Sequence, residues 1–291
     1  DAILPKSVHK KYPLIYPTIL HDLQQHQKKY YFKFHQHFNH VASSQAANVN
    51  LFLPILLHPQ ANEILRGIKK DLKSIATSEL YKGFRIEYWD GNSNNESGLL
   101  KDHSALSGTD SDIAIAYYNN EDELCLWLIE HKLTEKEFTK CGGFTSKDRN
   151  KSIHLCDKSF SEILLNKDYC FHHSFKRREY WNLTDVNKDF FINHSHCNGC
   201  PFKGGINQLW RNQLLGFAIE KIGKFKKVYF SVVKHHKNKA LDKSIKEYKN
   251  LINENEKFSE FNSIDVIDKV MEIKNNDLAK WVKWYKELYK L

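Results

Sequence analysis

Between Gly108 and Lys132 the chain reads Gly-Thr-Asp-Ser-Asp-Ile-Ala-Ile-Ala-Tyr-Tyr, then a short polar gap, then Leu-Cys-Leu-Trp-Leu-Ile-Glu-His-Lys. Ile113 to Tyr118 and Leu124 to Lys132 are rich in apolar and aromatic residues, and Asn119, Asn120, Glu121 and Asp122 break them apart, which predicts a hairpin. If the loop is Asn119 to Glu123, Tyr118 faces Leu124, and counting back sets Asp112 opposite Glu130. Opposed residues share a face with Cβ atoms roughly 5 Å apart. Glu130 and Lys132 also share a face, roughly 7 Å apart along the strand. Two carboxylates and an amine therefore converge, and a one-residue slip would separate them.

The rest of the composition sets limits. With 291 residues, 41% hydrophobic and 27% charged, the chain suits one large or two small globular domains with a real core. The longest apolar run, Leu51 to Leu57, is interrupted by Pro54 and too short for a membrane span, and no signal-peptide pattern opens the sequence. The expected setting is cytoplasmic. A net charge of +9 points to a polyanionic partner, with a solvated lysine-rich surface as the plainer reading. Without a signal sequence, six cysteines are better read as metal ligands or free thiols than as disulfides.

In chain order, Pro17 to His40 reads as helical, and its His35, His37 and His40 do not share a face as a ligand cluster would. Ser43 or Ser44 caps a helix over Gln45 to Leu56. Ala61 to Ser74 reads as helical and Phe84 to Trp89 as a strand that leaves through Asp90-Gly91-Asn92. A loop over 92–107 leads into the hairpin, and an irregular stretch over 140–205 follows it. Asn207 to Lys221 carries a helical stripe of Leu209, Trp210, Gln213, Leu214 and Phe217. Lys227 to Val233 is a strand, Ala240 to Asn253 a helix, Ser263 to Ile267 a short strand and Asn276 to Tyr289 a final amphipathic helix.

An acidic residue two before a lysine also occurs at Asp71/Lys73, Glu247/Lys249 and Glu272/Lys274, but only Glu130/Lys132 ends an apolar strand that follows an Asp-led one. The plainer fate of such a pair is a strand-end salt bridge. A second carboxylate opposite Glu130 is costly unless a cation lies between them. Hard oxygen ligands suit Mg²⁺ (or Mn²⁺): Asp112, Glu130, the backbone carbonyl of His131 and a scissile phosphate oxygen make a plausible shell for phosphodiester hydrolysis. Lys132 would orient or help deprotonate the attacking water. The His131 side chain faces the other way and is not the general base.

Asp112, a strand, then Glu130-His131-Lys132 at the end of the next strand resembles the PD-(D/E)XK nuclease superfamily, with Thr109-Asp110-Ser111-Asp112 in place of its Pro-Asp. Three blocks, Ser43-Ser44-Gln45-Ala46 leading to Asn50-Leu51-Phe52, Glu130-His-Lys-Leu-Thr-Glu135, and Gln208-Leu-Trp-Arg211-Asn212, resemble a group of restriction endonucleases in that superfamily. The resemblance implies an α/β fold with a restriction-endonuclease-like core, a mixed central β-sheet flanked by helices. It also implies divalent-metal-dependent DNA cleavage, with catalytic roles for Asp112, Glu130, Lys132 and Gln208, and nucleic-acid contacts from Gln45 and Arg211. Asp110 competes with Asp112 as the metal-binding aspartate. Glu63 is a candidate for the helical glutamate some relatives add.

Cys197-Asn-Gly-Cys200-Pro201 has the form of a knuckle that gives two thiolates to one metal. Cys156 and Cys170 are the expected completing pair, with Cys141, His172, His173, His194 or His196 as substitutes. Zn²⁺ is the default, and the resemblance permits a [4Fe-4S] cluster. The domains expected are 1–139, N-terminal helices and the first half of the core; 140–205, a Cys-rich inserted subdomain; and 206–291, the second half and C-terminal helices. The function expected is a DNA endonuclease of restriction or genome-defence type, with a homodimer or partner subunit in view and no membrane. The rivals are a non-catalytic nucleic-acid-binding module and a nuclease-like subunit that needs a partner.

Overall fold

The computed structural model describes residues 12–89, 96–104, 107–145 and 156–291. The turn expected at Asp90-Gly91-Asn92 and parts of the segments 92–107 and 140–205 lie outside them. Helices α1 (Leu20–Lys29), α2 (Ser44–Leu56) and α3 (Ala61–Arg66) lead to strands β1 (Leu72–Ile75), β2 (Phe84–Tyr88), β3 (Ser111–Asn119) and β4 (Leu124–Lys132). Short helices α4 (Gly142–Thr145), α5 (Phe160–Leu165), α6 (Phe171–Ser174) and α7 (Tyr180–Val186) precede the long α8 (Asn207–Ile222). The chain ends with β5 (Lys227–Lys234), α9 (Asp242–Leu251), β6 (Phe258–Asn262), α10 (Ser263–Glu272) and α11 (Asn276–Tyr289).

The strands form one mixed sheet in the order β1-β3-β4-β5-β6, with β2 also paired to β3. Antiparallel β1 and β2 share the outer edge of β3, β1 at its Asn119 end and β2 at its Ser111 end. β4–β5 and β5–β6 are parallel, so α8 and α9 lie in the crossovers that parallel pairs require. Helices cover both faces, which is why β3 and β4 are apolar on both sides. Ile113, Ile115, Trp127 and Ile129 enter a core with α2, α3, α10 and α11. Ala114, Ala116, Leu126 and Leu128 enter a second core with α8 and α9. The segment after residue 140 adds Phe160, Tyr180, Trp181, Phe191 and Phe202 to that second core, where Phe202 stacks flat on Trp210 of α8 at 4.0 Å. These five aromatic residues are thus packed side chains.

Three expected elements change. The helix expected over Pro17 to His40 stops at Lys29, because the aromatic-rich run after it is extended and pinned by Gln45, which accepts from His35 N (2.8 Å) and donates to Lys33 O (3.3 Å). The helix expected over Ala61 to Ser74 stops at Arg66, and Leu72 to Ile75 pairs as β1, with Arg66 donating to the Leu72 and Lys73 carbonyls. The strand expected at Ser263 to Ile267 is the start of α10, because Asn262 and Asp265 form a capping box there and the strand is the preceding Phe258–Asn262.

Helix α2 runs through the first core, and its interior polar residue Asn50 joins the two ends of the chain. Its amide donates to Leu14 O (2.7 Å) and Tyr289 Oη (2.8 Å), while its Oδ1 accepts from Tyr16 N (2.9 Å). Asn50→Ala leaves three partly or fully buried groups unpaired, and urea denaturation should show a loss of about 2 kcal/mol or more. A loss below about 0.5 kcal/mol, the range of ordinary surface substitutions, would remove Asn50 from its linking role.

Candidate active site

The β3–β4 ladder runs from Tyr118↔Leu124 to Ile113↔Ile129, the register read from the hairpin loop. At its open end side chains take over from backbone pairing. Ser111 Oγ accepts from Ile129 N (2.9 Å), and Asp112 Oδ2 accepts from His131 N (2.6 Å). In extended backbone the N–H and C=O of a residue point the same way, so the His131 carbonyl is aimed towards the Asp112 side as well. The parity that sends Leu126 and Leu128 into the α8 core carries Glu130 and Lys132 to that side.

Helix α8 then fixes Glu130. Gln208 Nε2 donates to Oε1 (2.7 Å) and Asn212 Nδ2 to Oε2 (2.8 Å), one turn apart on the same helix face, and Lys132 Nζ is 2.8 Å from Oε1. Glu130 and Lys132 are 4% and 8% exposed, so the pair is desolvated and depends on these partners. Gln208 also accepts from Thr139 N (3.2 Å), tying the chain beyond Lys132 to the same helix. Glu135 closes the turn after Lys132 by accepting from Leu133 N and Thr134 N.

Two further carboxylates belong to this cluster. Glu87 of β2 accepts from Gln45 Nε2 (2.7 Å), and its carboxyl group is beside that of Asp110. Glu87 has a left-handed backbone (φ 50°), which breaks strand alternation: Ile86 lies in the first core and Tyr88, two residues on, in the second. Such a backbone in a non-glycine residue costs about 1–3 kcal/mol, and it turns β2 where its carboxylate meets β3. The Asp110 segment is held by Thr109, which donates to the buried Asp102 (2.5 Å) and accepts from Arg211 Nη1 (3.0 Å); Tyr180 Oη also donates to Asp102 (2.7 Å).

Four carboxylates thus gather at this end of the sheet, with Glu130 and Asp112 beside the Lys132 ammonium. Burial raises Glu87 and Asp112 well above the ordinary carboxylate range, reinforced for Glu87 by Asp110 and Asp112 and for Asp112 by Glu130. Burial raises Asp110 as well, opposed by His103. Burial alone would lower Lys132, but Glu130, Asp112 and Glu135 outweigh it and raise the ammonium above its usual value. His131 is the opposite case. Its ring is fully buried in the first core without a partner among the described residues, and burial drives its pKa down to about 3. It is neutral and faces away from the carboxylates.

The structure brings Asp112, Glu130, Lys132 and Gln208 together. Gln45 is also at the site, but its amide is used on Lys33, His35 and Glu87, and Arg211 is 14% exposed and engaged with Thr109. Both hold the site's walls in place. Glu63 is not part of it: it is exposed on α3, which packs on β1 at the Asn119 end of the hairpin. Glu87 and Asn212 are the residues sequence reasoning missed. A carboxylate in the strand before the Asp-led one, and an amide four residues after Gln208, were the available signals.

Hard oxygens, buried and in excess over the single ammonium, are the donor set a divalent cation needs, although among the described residues no three such side chains yet close on one ion. The same holds for the thiols. Cys141, Cys156, Cys170 and Cys200 lie near one another, whereas the neighbouring charges felt by Cys197 are Glu247 and Lys203. Of the expected set of Cys156, Cys170, Cys197 and Cys200, Cys156 and Cys200 are joined through backbone, Cys200 N donating to Cys156 O (3.1 Å), and Cys141 Sγ lies 3.3 Å from His172 Nε2.

Among the described residues no helix is long and apolar enough to cross a membrane. No curated protein and no solved structure matches the chain. The model of one family, described as restriction endonuclease associating with ARP, matches residues 6–290, and with a match over nearly its whole length the chain belongs to that family.

Proposed function

We propose that this protein is a divalent-metal-dependent DNA endonuclease of restriction or genome-defence type, with its catalytic centre at the open end of the β3–β4 hairpin. The observation that carries the reading is the gathering of Glu87, Asp110, Asp112 and Glu130, with Lys132 paired to Glu130. Family membership supports a nuclease role, and the net charge of +9 suits a DNA partner. The family's description also names an associated factor, ARP, and a partner subunit of that kind belongs to the proposal.

Asp112, Glu130 and the His131 carbonyl would hold Mg²⁺ or Mn²⁺, with Asp110 and Glu87 adding charge beside them. Such an ion, when bound, polarises the scissile phosphate and lowers the pKa of a coordinated water. Lys132 is kept as an ammonium, so its part is to donate: it orients the attacking water and stabilises charge developing on the phosphate. This argues against Lys132 as the base that deprotonates the water. Gln208 and Asn212 act through Glu130 and are positioning residues. They fix both of its oxygens without adding charge.

Plasmid cleavage in Mg²⁺ should fall about 10³-fold in Lys132→Met, with DNA binding retained. Equal nicking by both proteins, or binding without cleavage by wild type, would sink the catalytic assignment. Glu87→Gln should lower cleavage about 10²-fold, and Glu63→Gln should leave it unchanged; the reverse ranking would return the extra carboxylate to α3.

Stability should move in the opposite sense. Because burial raises Glu87, Asp110 and Asp112, the folded chain keeps protons that the unfolded chain releases above about pH 4. The stability they contribute is full below that pH and is lost as pH rises through their raised values. Without metal, Asp112→Asn should therefore stabilise the fold by about 1 kcal/mol at pH 8 and by much less at pH 4, while abolishing cleavage. Thermal melts at the two pH values check this, and a variant that melts lower at pH 8 refutes it.

A further inference from the structure

Away from the carboxylates, four cysteines from separate parts of the chain are drawn into one place by contacts that do not involve the nuclease site. Cys200 N donates to Cys156 O (3.1 Å), so these two are adjacent through backbone. Gly199 makes that approach possible: it has φ +78°, and a Cβ there would stand 2.7 Å from Cys156 O. Cys141 N donates to the carbonyl of Lys203, whose own N–H donates to Cys200 O, both at 3.4 Å. Cys141 Sγ lies 3.3 Å from His172 Nε2, on the short helix α6 that Cys170 caps.

The N–H groups of His173 and Ser174 donate to the Cys170 carbonyl (2.9 Å each), so the chain turns into α6 at that cysteine. Four half-buried to buried thiols, none in a disulfide, thus gather where these segments meet.

We propose that Cys141, Cys156, Cys170 and Cys200 hold a thiolate-bound metal centre, zinc or an iron–sulfur cluster, and that Cys197 is not a ligand. His172, against the Cys141 sulfur and hydrogen-bonded through Nδ1 to Arg178 Nη1 (3.2 Å), orients that thiolate from outside. Among the described residues no three of these groups close on a single ion. Zinc requires the sulfurs to draw in to a tetrahedral shell, whereas an iron–sulfur cluster accepts a wider spacing. Either centre ties the segments around residues 141, 156, 170 and 200 into one unit beside α8.

The test uses the full chain purified without oxygen, with zinc, iron and acid-labile sulfide measured per chain. The proposal expects about one zinc, or about four irons with matching sulfide and a broad visible absorption. That content should fall at least about tenfold in Cys141→Ser and Cys200→Ser and persist in Cys197→Ser. Wild type without stoichiometric metal, or disulfides among these cysteines, would overturn the proposal whatever the variants do. Metal lost in Cys197→Ser but kept in Cys141→Ser would overturn the ligand set. Since wild-type metal content is read independently of DNA cleavage, the result stands apart from the nuclease assignment.

Discussion

Burial of the Glu130 carboxylate is the constraint around which this half of the molecule is arranged. A carboxylate so nearly shielded from water is unfavourable unless each oxygen is satisfied. Here α8 supplies an amide to each oxygen and the next residue on the same face of the strand supplies the ammonium. Neutral amides satisfy Glu130 without cancelling its charge, so the surplus of carboxylates over cations survives at the sheet end. A structural ion pair would not need Asp112, Asp110 and Glu87 brought up beside it. Their crowding raises the free energy of the unliganded fold, and a function that binds cations gives a reason for carrying it.

Period-two alternation in β4 separates two chemistries by one residue. Ile129 and His131 belong to the α2 side, where His131 is a neutral packed ring; Glu130 and Lys132 belong to the α8 side. Position in the strand, and not residue type, decides which of His131 and Lys132 can take part in proton chemistry. The buried Asp102, bonded to Thr109 and Tyr180, links the segment before β3 to α7, so the second core and the site share a wall.

Much of this was legible in the sequence because it rests on local patterns. The hairpin has a polar break of defined length, and its register follows by counting. The Asn207 helix announces itself through its stripe, and the resemblance to restriction endonucleases agrees with the family that matches the chain. What failed depends on tertiary contact. Leu72 to Ile75 is too short to declare itself a strand and gains that identity from β3. Glu87 reaches Asp110 through a left-handed turn that no propensity reveals. Gln45 looks like a free polar residue in its block until its hydrogen bonds are seen. The CxxC spacing drew attention to Cys197 and Cys200, but it says nothing of the contacts that bring Cys156 and Cys200 together or set Cys141 against His172.

The long connection between β4 and β5 also affects how the molecule is made. Glu130 precedes its partners Gln208 and Asn212 by 78 and 82 residues. Until those residues have left the ribosome, a nascent chain carries the hairpin acids without the helix that holds Glu130, and a parallel pairing this remote in sequence is slow to close. The hairpin's own contacts are local and can form early. Assembly of the carboxylate cluster is thereby deferred until α8 is made, so that a chain truncated before it has the acids in register but not the amides that hold the Glu130 carboxylate.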